Sequence, residues 1–102
     1  YLSDLIDWAH ANDLDFHVTE FDYKIMDHNN SSEAQEKQAQ AYANVMKVLL
    51  SKRSSGIVTF NTWGMIDGKG RFGDRYRYMY DKKSKPKPAY FALKNSLYEN
   101  LK

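Results

Sequence analysis

The chain has 102 residues, a formal net charge of +2 and no cysteine. Its length permits a single domain, and the missing cysteines exclude disulfides, thiolate metal ligands and a thiol nucleophile while leaving the redox compartment open. No apolar run nears the roughly 20 residues of a membrane-spanning helix, so no membrane partner is expected.

The chain starts at Tyr1 inside an amphipathic pattern, with neither an initiator Met nor a charged-then-apolar leader, as expected of a processed, cut or inserted boundary. Leu2, Leu5, Ile6 and Ala9 recur at helical spacing and predict a helix ending near Asn12 and Asp13. The run from Phe16 to Phe21 is β-branched and aromatic, too short for another helix, and reads as a strand. Asp27 to Ser31 is a polar loop. Ser32 followed by Gln35 has the form of a capping box. A long helix should begin there, bury Ala41, Tyr42, Val45, Met46 and Leu49, and run to about Lys52 before Ser54-Ser55-Gly56 breaks it. Ile57 to Phe60 reads as a second strand. From Trp63 to Lys87 the four glycines, many charges and lack of period predict a long irregular loop, a kind that usually carries function. Pro88 suits the first turn of a last helix, with Tyr90, Leu93, Leu97 and Leu101 as its buried stripe.

The order α-β-α-β-α predicts an α/β fold in which two parallel strands are joined through a crossover helix. Two strands alone leave backbone unpaired at the sheet edges and cannot cover a parallel sheet on both faces. The unit is therefore expected to belong to a larger α/β body, completed by another polypeptide or by further sequence, and to fold poorly and lack activity by itself.

Charge is unevenly spread. Between Lys69 and Lys87 eight basic side chains face two acidic ones, an excess of +6 that leaves −4 for the rest of the chain. Interleaved with Tyr76, Tyr78 and Tyr80, such a run could track phosphates and stack bases. A solvated loop is the commoner meaning, and no nucleic-acid partner is expected. His10, His17 and His28 have no spacing that suggests a metal site, and no glycine-rich phosphate loop or serine nucleophile elbow is present.

Glu20 stands at the carboxyl end of the first strand, on the pleat face of Phe16 and Val18 if the strand is regular. Ligands of parallel α/β folds collect beyond those strand ends. Asp22 would share the face of Glu20, giving a reactive carboxylate and an orienter, although from spacing alone an ion pair with an Arg or a helix cap is the commoner role for Glu20. His17 alternates away, toward the helical layer. Trp63 would lie on the same rim and offer a flat apolar surface to a sugar ring, or else pack in the core. Asn61 could bond a ligand or merely satisfy backbone.

Three segments share an order with known enzymes. His17-Val18-Thr19-Glu20-Phe21-Asp22 resembles the "(I/V)TELD" nucleophile strand of family 10 glycoside hydrolases, Trp63-Gly64-Met65-Ile66-Asp67 the "WGxxD" after the last barrel strand, and Lys85-Pro86-Lys87-Pro88-Ala89-Tyr90 the "KPAY" that opens the final helix. The resemblance implies that residues 1–102 form the C-terminal segment of a (β/α)8 TIM-barrel catalytic domain, incomplete without the N-terminal portion of the barrel. It implies an endo-β-1,4-xylanase acting on xylan or xylo-oligosaccharides by a retaining mechanism, without a cofactor or metal. Glu20 is then the nucleophile, and the second carboxyl group that the mechanism needs, about 5 to 5.5 Å away, lies on a strand this chain does not contain. Asp22 matches an Asp that orients a His from another strand, and Trp63 matches the Trp that lines the subsite of the sugar under attack. Where the family has a second Trp, this chain has Arg71 and Phe72 at the upper wall of that subsite. A secreted, periplasmic or cell-surface location goes with the resemblance. A non-catalytic carbohydrate-binding or scaffold domain, and a barrel glycosidase for another β-glycan, are the alternative readings.

Overall fold

Two short strands lie side by side in parallel, with a long helix crossing between them and a helix before and after. In the computed structural model, which describes residues 1–26, 29–68 and 76–101, the order is α1 (Leu2–Ala11), β1 (Phe16–Phe21), α2 (Ser32–Ser51), β2 (Val58–Thr62) and α3 (Pro88–Asn100). The expected parallel pairing is present, with Phe16 opposite Val58, His17 opposite Thr59 and Val18 opposite Phe60. Among the described residues the sheet consists of these two strands.

Helix α1 buries Ile6 and Ala9, whereas Leu5 is exposed, so its apolar stripe is narrower than the spacing predicts. It ends where expected. The N–H of Leu14 reaches the carbonyl of Ala9 and that of Asp13 the carbonyl of His10, with Asp13 at φ 59°. This is the Schellman arrangement, in which a left-handed residue satisfies the last carbonyls of a helix.

His10 then ties α1 to the entrance of β2. Its Nε2 donates to the carbonyl of Ile57 at 3.0 Å and its Nδ1 lies 2.8 Å from Ser55 Oγ. The contact is possible because residue 56 is glycine: a Cβ there would come within 2.5 Å of the His10 ring. Gly56→Ala should displace the imidazole from both partners and destabilise the protein by about 1–3 kcal/mol. A thermal melt of the complete enzyme checks this, and an unchanged midpoint would contradict it.

Helix α2 starts at Ser32 as expected, but its cap is Ser31. The backbone of Ser31 is extended (φ −63°, ψ 160°) and its hydroxyl accepts from the N–H of Ala34. Gln35, expected to close a capping box with Ser32, reaches the carbonyl of Asn30. Tyr42 and Leu49 are buried as expected, and Ala39 and Gln38 join them. Strand β2 runs from Val58 to Thr62, starting one residue later and ending two later than predicted. The polar Asn61 and Thr62 belong to it because β1 supplies ladder partners up to Phe21.

The core lies where α2, α3 and the segment before α3 meet. Tyr42, Met79 and Ala89 form its centre, flanked by Phe21, Phe60, Tyr80, Tyr90 and Leu93. The ring of Phe21 meets that of Tyr42 edge-on at 4.8 Å, a favoured aromatic geometry. Helix α3 begins with Pro88 as predicted. Its buried side rests on Ala89, and Leu101, expected on the buried stripe, is 50% exposed, because the helix ends at Asn100 and Leu101 falls on its C-cap. No helix of the described residues is long and apolar enough to cross a membrane.

Candidate active site at the strand ends

The carboxyl ends of β1 and β2 lie together, and the ladder continues past the strands through the Trp63 N–H, which donates to the carbonyl of Phe21 at 3.1 Å. Just before that point the pairing changes register. Val18 faces Phe60 and Phe21 faces Thr62, so Thr19 and Glu20 share a span that Asn61 alone occupies on β2. An extra residue of this kind re-aims the side chains beside it. Glu20 therefore does not follow the simple alternation with Phe16 and Val18 expected of a regular strand. Thr19 and Glu20 are both exposed, and Glu20 makes no hydrogen bond or ion pair among the described residues.

Trp63 is 60% exposed in this chain, and its side chain does not belong to the core formed by these residues. Asn61 is exposed as well. Gly64 follows Trp63 because the buried ring of Tyr78 lies against its backbone, only 2.8 Å from where a Cβ would sit. His17, expected against the helical layer, is exposed and bonds across the strand pair, with Nδ1 2.7 Å from Thr59 Oγ1. Arg71 and Phe72 lie outside the described residues, as does His28.

Asp22 diverges from Glu20 in its surroundings. It follows the last residue of β1, is about three-quarters buried, and takes a 3.4 Å contact from Arg77 Nη1 at its Oδ2. Arg77 is in turn fixed by its backbone: its carbonyl accepts from the Tyr42 hydroxyl at 2.7 Å and from the N–H of Tyr23 at 3.3 Å. Burial first, and the nearby carboxylates of Asp22 and Asp67 second, raise the Tyr42 phenol well above its ordinary value, so it remains a neutral donor. Gln38 completes the link. Fully buried, it donates through Nε2 to the carbonyls of Tyr23 and Tyr76, at 2.8 and 2.9 Å. The chain leaving β1 is thereby stitched to the chain returning before α3.

A second anchor joins two of the sequence motifs. Asp67 Oδ2 accepts from Lys87 Nζ at 2.8 Å, and Asp67 Oδ1 from the N–H of Tyr78 at 2.9 Å, with the Asp67 and Lys87 side chains 1% and 4% exposed. The basic run is thus divided in its use. Lys87 and Arg77 serve inside the structure, whereas Lys82, Lys83 and Lys85 face solvent. Sequence reasoning missed Arg77, Gln38 and the pairing of Asp67 with Lys87. Two motifs that contribute opposite charges within one irregular stretch were the available signal for the last of these; a buried Gln on a helix leaves none. Among the described residues no group of three His, Asp or Glu side chains could hold a metal ion.

Glu20 and Trp63 thus both stand exposed at the carboxyl ends of paired parallel strands, the side on which ligands of α/β folds collect. The model of glycosyl hydrolase family 10 matches residues 2–96, and the chain belongs to this family. Its fold is a (β/α)8 barrel, of which the described residues supply two strands and three helices. Among solved structures, the Penicillium canescens endo-1,4-β-xylanase XylE superposes with a TM-score of 0.81 at 21% identity, over 93% of this chain and 30% of that one. Xylanase 10B of Thermotoga petrophila, in complex with xylobiose, gives 0.79 at 20% identity over 98% and 32%. A glycosylated endo-β-1,4-xylanase of Gloeophyllum trabeum gives 0.77 at 24% over 94% and 31%. The chain thus spans about a third of the length of these xylanases. No curated protein matches it.

Proposed function

We propose that the protein acts as an endo-β-1,4-xylanase with Glu20 as the nucleophile of a retaining double displacement. The observation that carries this reading is the exposed carboxylate of Glu20, set in a register change at the end of β1 next to exposed Trp63. A carboxylate oxygen of Glu20 attacks the anomeric carbon as the glycosidic bond breaks, and the departing oxygen takes a proton from a second carboxyl group. Water then attacks the glycosyl ester, losing its proton to that same group, and Glu20 leaves as the free carboxylate. The second carboxyl comes from the rest of the barrel, which this chain needs for activity.

Asp22 acts as a positioning residue, its negative charge shared between Arg77 and a His from a neighbouring strand. Trp63 lies against the sugar being attacked, with Asn61, Arg71 and Phe72 shaping the subsite around it. A secreted, periplasmic or cell-surface setting goes with this reading. Following the anomeric configuration of fresh product by NMR during cleavage of a xylo-oligosaccharide by the complete enzyme tests the mechanism. The β-anomer should appear first; an initial α-anomer means inversion, and no cleavage removes the xylanase reading.

A further inference from the structure

We infer that the hydrogen bond between His17 and Thr59 holds β1 in the register that aims Glu20, which makes these two side chains positioning residues for the proposed nucleophile. The inference rests on the glycosidase reading of Glu20 and adds residues that the reading does not use.

The two side chains stand directly opposite each other on the paired strands, with His17 Nδ1 2.7 Å from Thr59 Oγ1. They lie on the face turned away from the helices. Phe21 and Phe60 pack against the core that contains Tyr42 of α2, and Val18, opposite Phe60, shares their side. One position back along each strand, His17 and Thr59 point the other way, the side that lines the interior of a (β/α)8 barrel. Bulky branched residues dominate such interiors, so a bonded polar pair here calls for a purpose other than packing. The Nε2 of His17 is 3.8 Å from Asp15 Oδ2, beyond hydrogen-bond reach. Among the described residues, the Thr59 hydroxyl is therefore the partner that orients the ring.

What the pair controls follows from the register. Between Phe16 opposite Val58 and Phe21 opposite Thr62, β1 carries one residue more than β2. Those end pairs are met wherever in the span the extra residue lies, and the bond from the Trp63 N–H to the Phe21 carbonyl closes the upper end in every case. Only the rungs between them can fix its place. The His17–Thr59 bond locks the first rung, and Val18, apolar and opposite Phe60, favours the second. The extra residue is thereby confined to Thr19 and Glu20. Without the bond it can move down the strand to His17 and Val18, which sets Glu20 opposite Asn61 and turns polar Thr19 toward Phe60. A carboxylate re-aimed in this way leaves the line of attack on the anomeric carbon, where a displacement of about 1 Å costs up to roughly a hundredfold in rate.

Steady-state kinetics on a xylo-oligosaccharide and hydrogen exchange of the peptide spanning β1, both on the complete enzyme, test the inference. Thr59→Val keeps the branched shape and the strand preference and removes the hydroxyl. It should lower kcat about 10- to 100-fold with KM within about twofold of wild type, and Thr59→Ser, which retains the hydroxyl, should keep most of the rate. His17→Val should cost about as much, and the double variant His17→Val/Thr59→Val no more than either alone, as for two ends of one interaction. Exchange in β1 should quicken roughly tenfold in Thr59→Val and stay near wild type in Thr59→Ser. A kcat within about twofold of wild type in Thr59→Val, a Thr59→Ser enzyme no faster than Thr59→Val, losses that add in the double variant, or unaltered exchange overturns the proposal. Failure of the unaltered enzyme to cleave xylan counts against the xylanase reading alone, since the exchange comparison is read without turnover.

Discussion

Glu20→Gln in the complete enzyme is expected to lower kcat on xylan by roughly four orders of magnitude or more while leaving the affinity for xylo-oligosaccharide nearly unchanged. Glutamine keeps the shape of the side chain and removes the negative charge and the attacking lone pair, so ground-state binding should survive where bond formation does not. Stability should move little, within about ±0.5 kcal/mol, because the side chain is exposed and makes no hydrogen bond or ion pair with the described residues. Loss of activity can therefore be separated from loss of fold by a melt on the same sample. Added azide should restore part of the turnover of a small-side-chain variant, Glu20→Ala, by attacking the anomeric carbon in the space vacated, with a glycosyl azide as product. Near-normal turnover of Glu20→Gln would remove the assigned role.

The second large effect concerns stability. Asp67→Ala should destabilise the complete enzyme by about 3–5 kcal/mol, because it leaves the Lys87 ammonium uncompensated in a site where that side chain is 4% exposed. It also strips the N–H of Tyr78 of its acceptor, and Tyr78 packs on Gly64 directly after the proposed sugar platform. The double variant Asp67→Asn/Lys87→Met keeps an oxygen for Tyr78 and removes both charges together. It should recover much of the loss, since a buried ion pair replaced as a pair is often nearly neutral. Denaturant unfolding of the wild type, the single and the double variant checks this. A single variant within about 1 kcal/mol of wild type, or a double variant no better than the single, would show that the pair does not anchor the segment.

Much of the fold could be read from the sequence, and the reasons differ by element. Periodicity located α1, α2 and α3 because each buries one stripe, and Pro88 marked a helix start because its missing N–H costs nothing there. Composition located β1 within its observed bounds. It truncated β2, since Thr62 is held in the strand by pairing with Phe21 of β1, and Asn61 by lying between paired residues, rather than by their own preferences. The cap of α2 fell one residue early for a similar reason: Ser31 and Ser32 are chemically equivalent, and only the extended backbone at Ser31 decides between them.

At the candidate site, position along the fold was legible and geometry less so. The positions of Glu20 and Trp63 at neighbouring strand ends follow from the parallel order of β1 and β2. The register change that sets the direction of Glu20 does not, because local sequence carries no sign of two residues opposing one. Arg77 beside Asp22 and Lys87 beside Asp67 join residues far apart in the chain, and a run of basic residues looks alike whether its members face water or pair inside. Asp81 shows the opposite case of a locally encoded turn. The Lys85 N–H, with that of Lys83 assisting, holds its carboxyl below the usual range. The stabilisation this gives is complete at neutral pH and is lost as pH falls through that lowered value.

The central claim is that Glu20 forms the bond to the anomeric carbon. The direct measurement is to inactivate the complete enzyme with a 2-deoxy-2-fluoro xylobioside carrying a good leaving group, which slows hydrolysis of the glycosyl ester more than its formation, and to locate the adduct by peptide mass spectrometry. One fluoroxylobiosyl group per molecule, on Glu20, is the expected result. Inactivation with the adduct on another carboxylate, or with no covalent adduct, would contradict it.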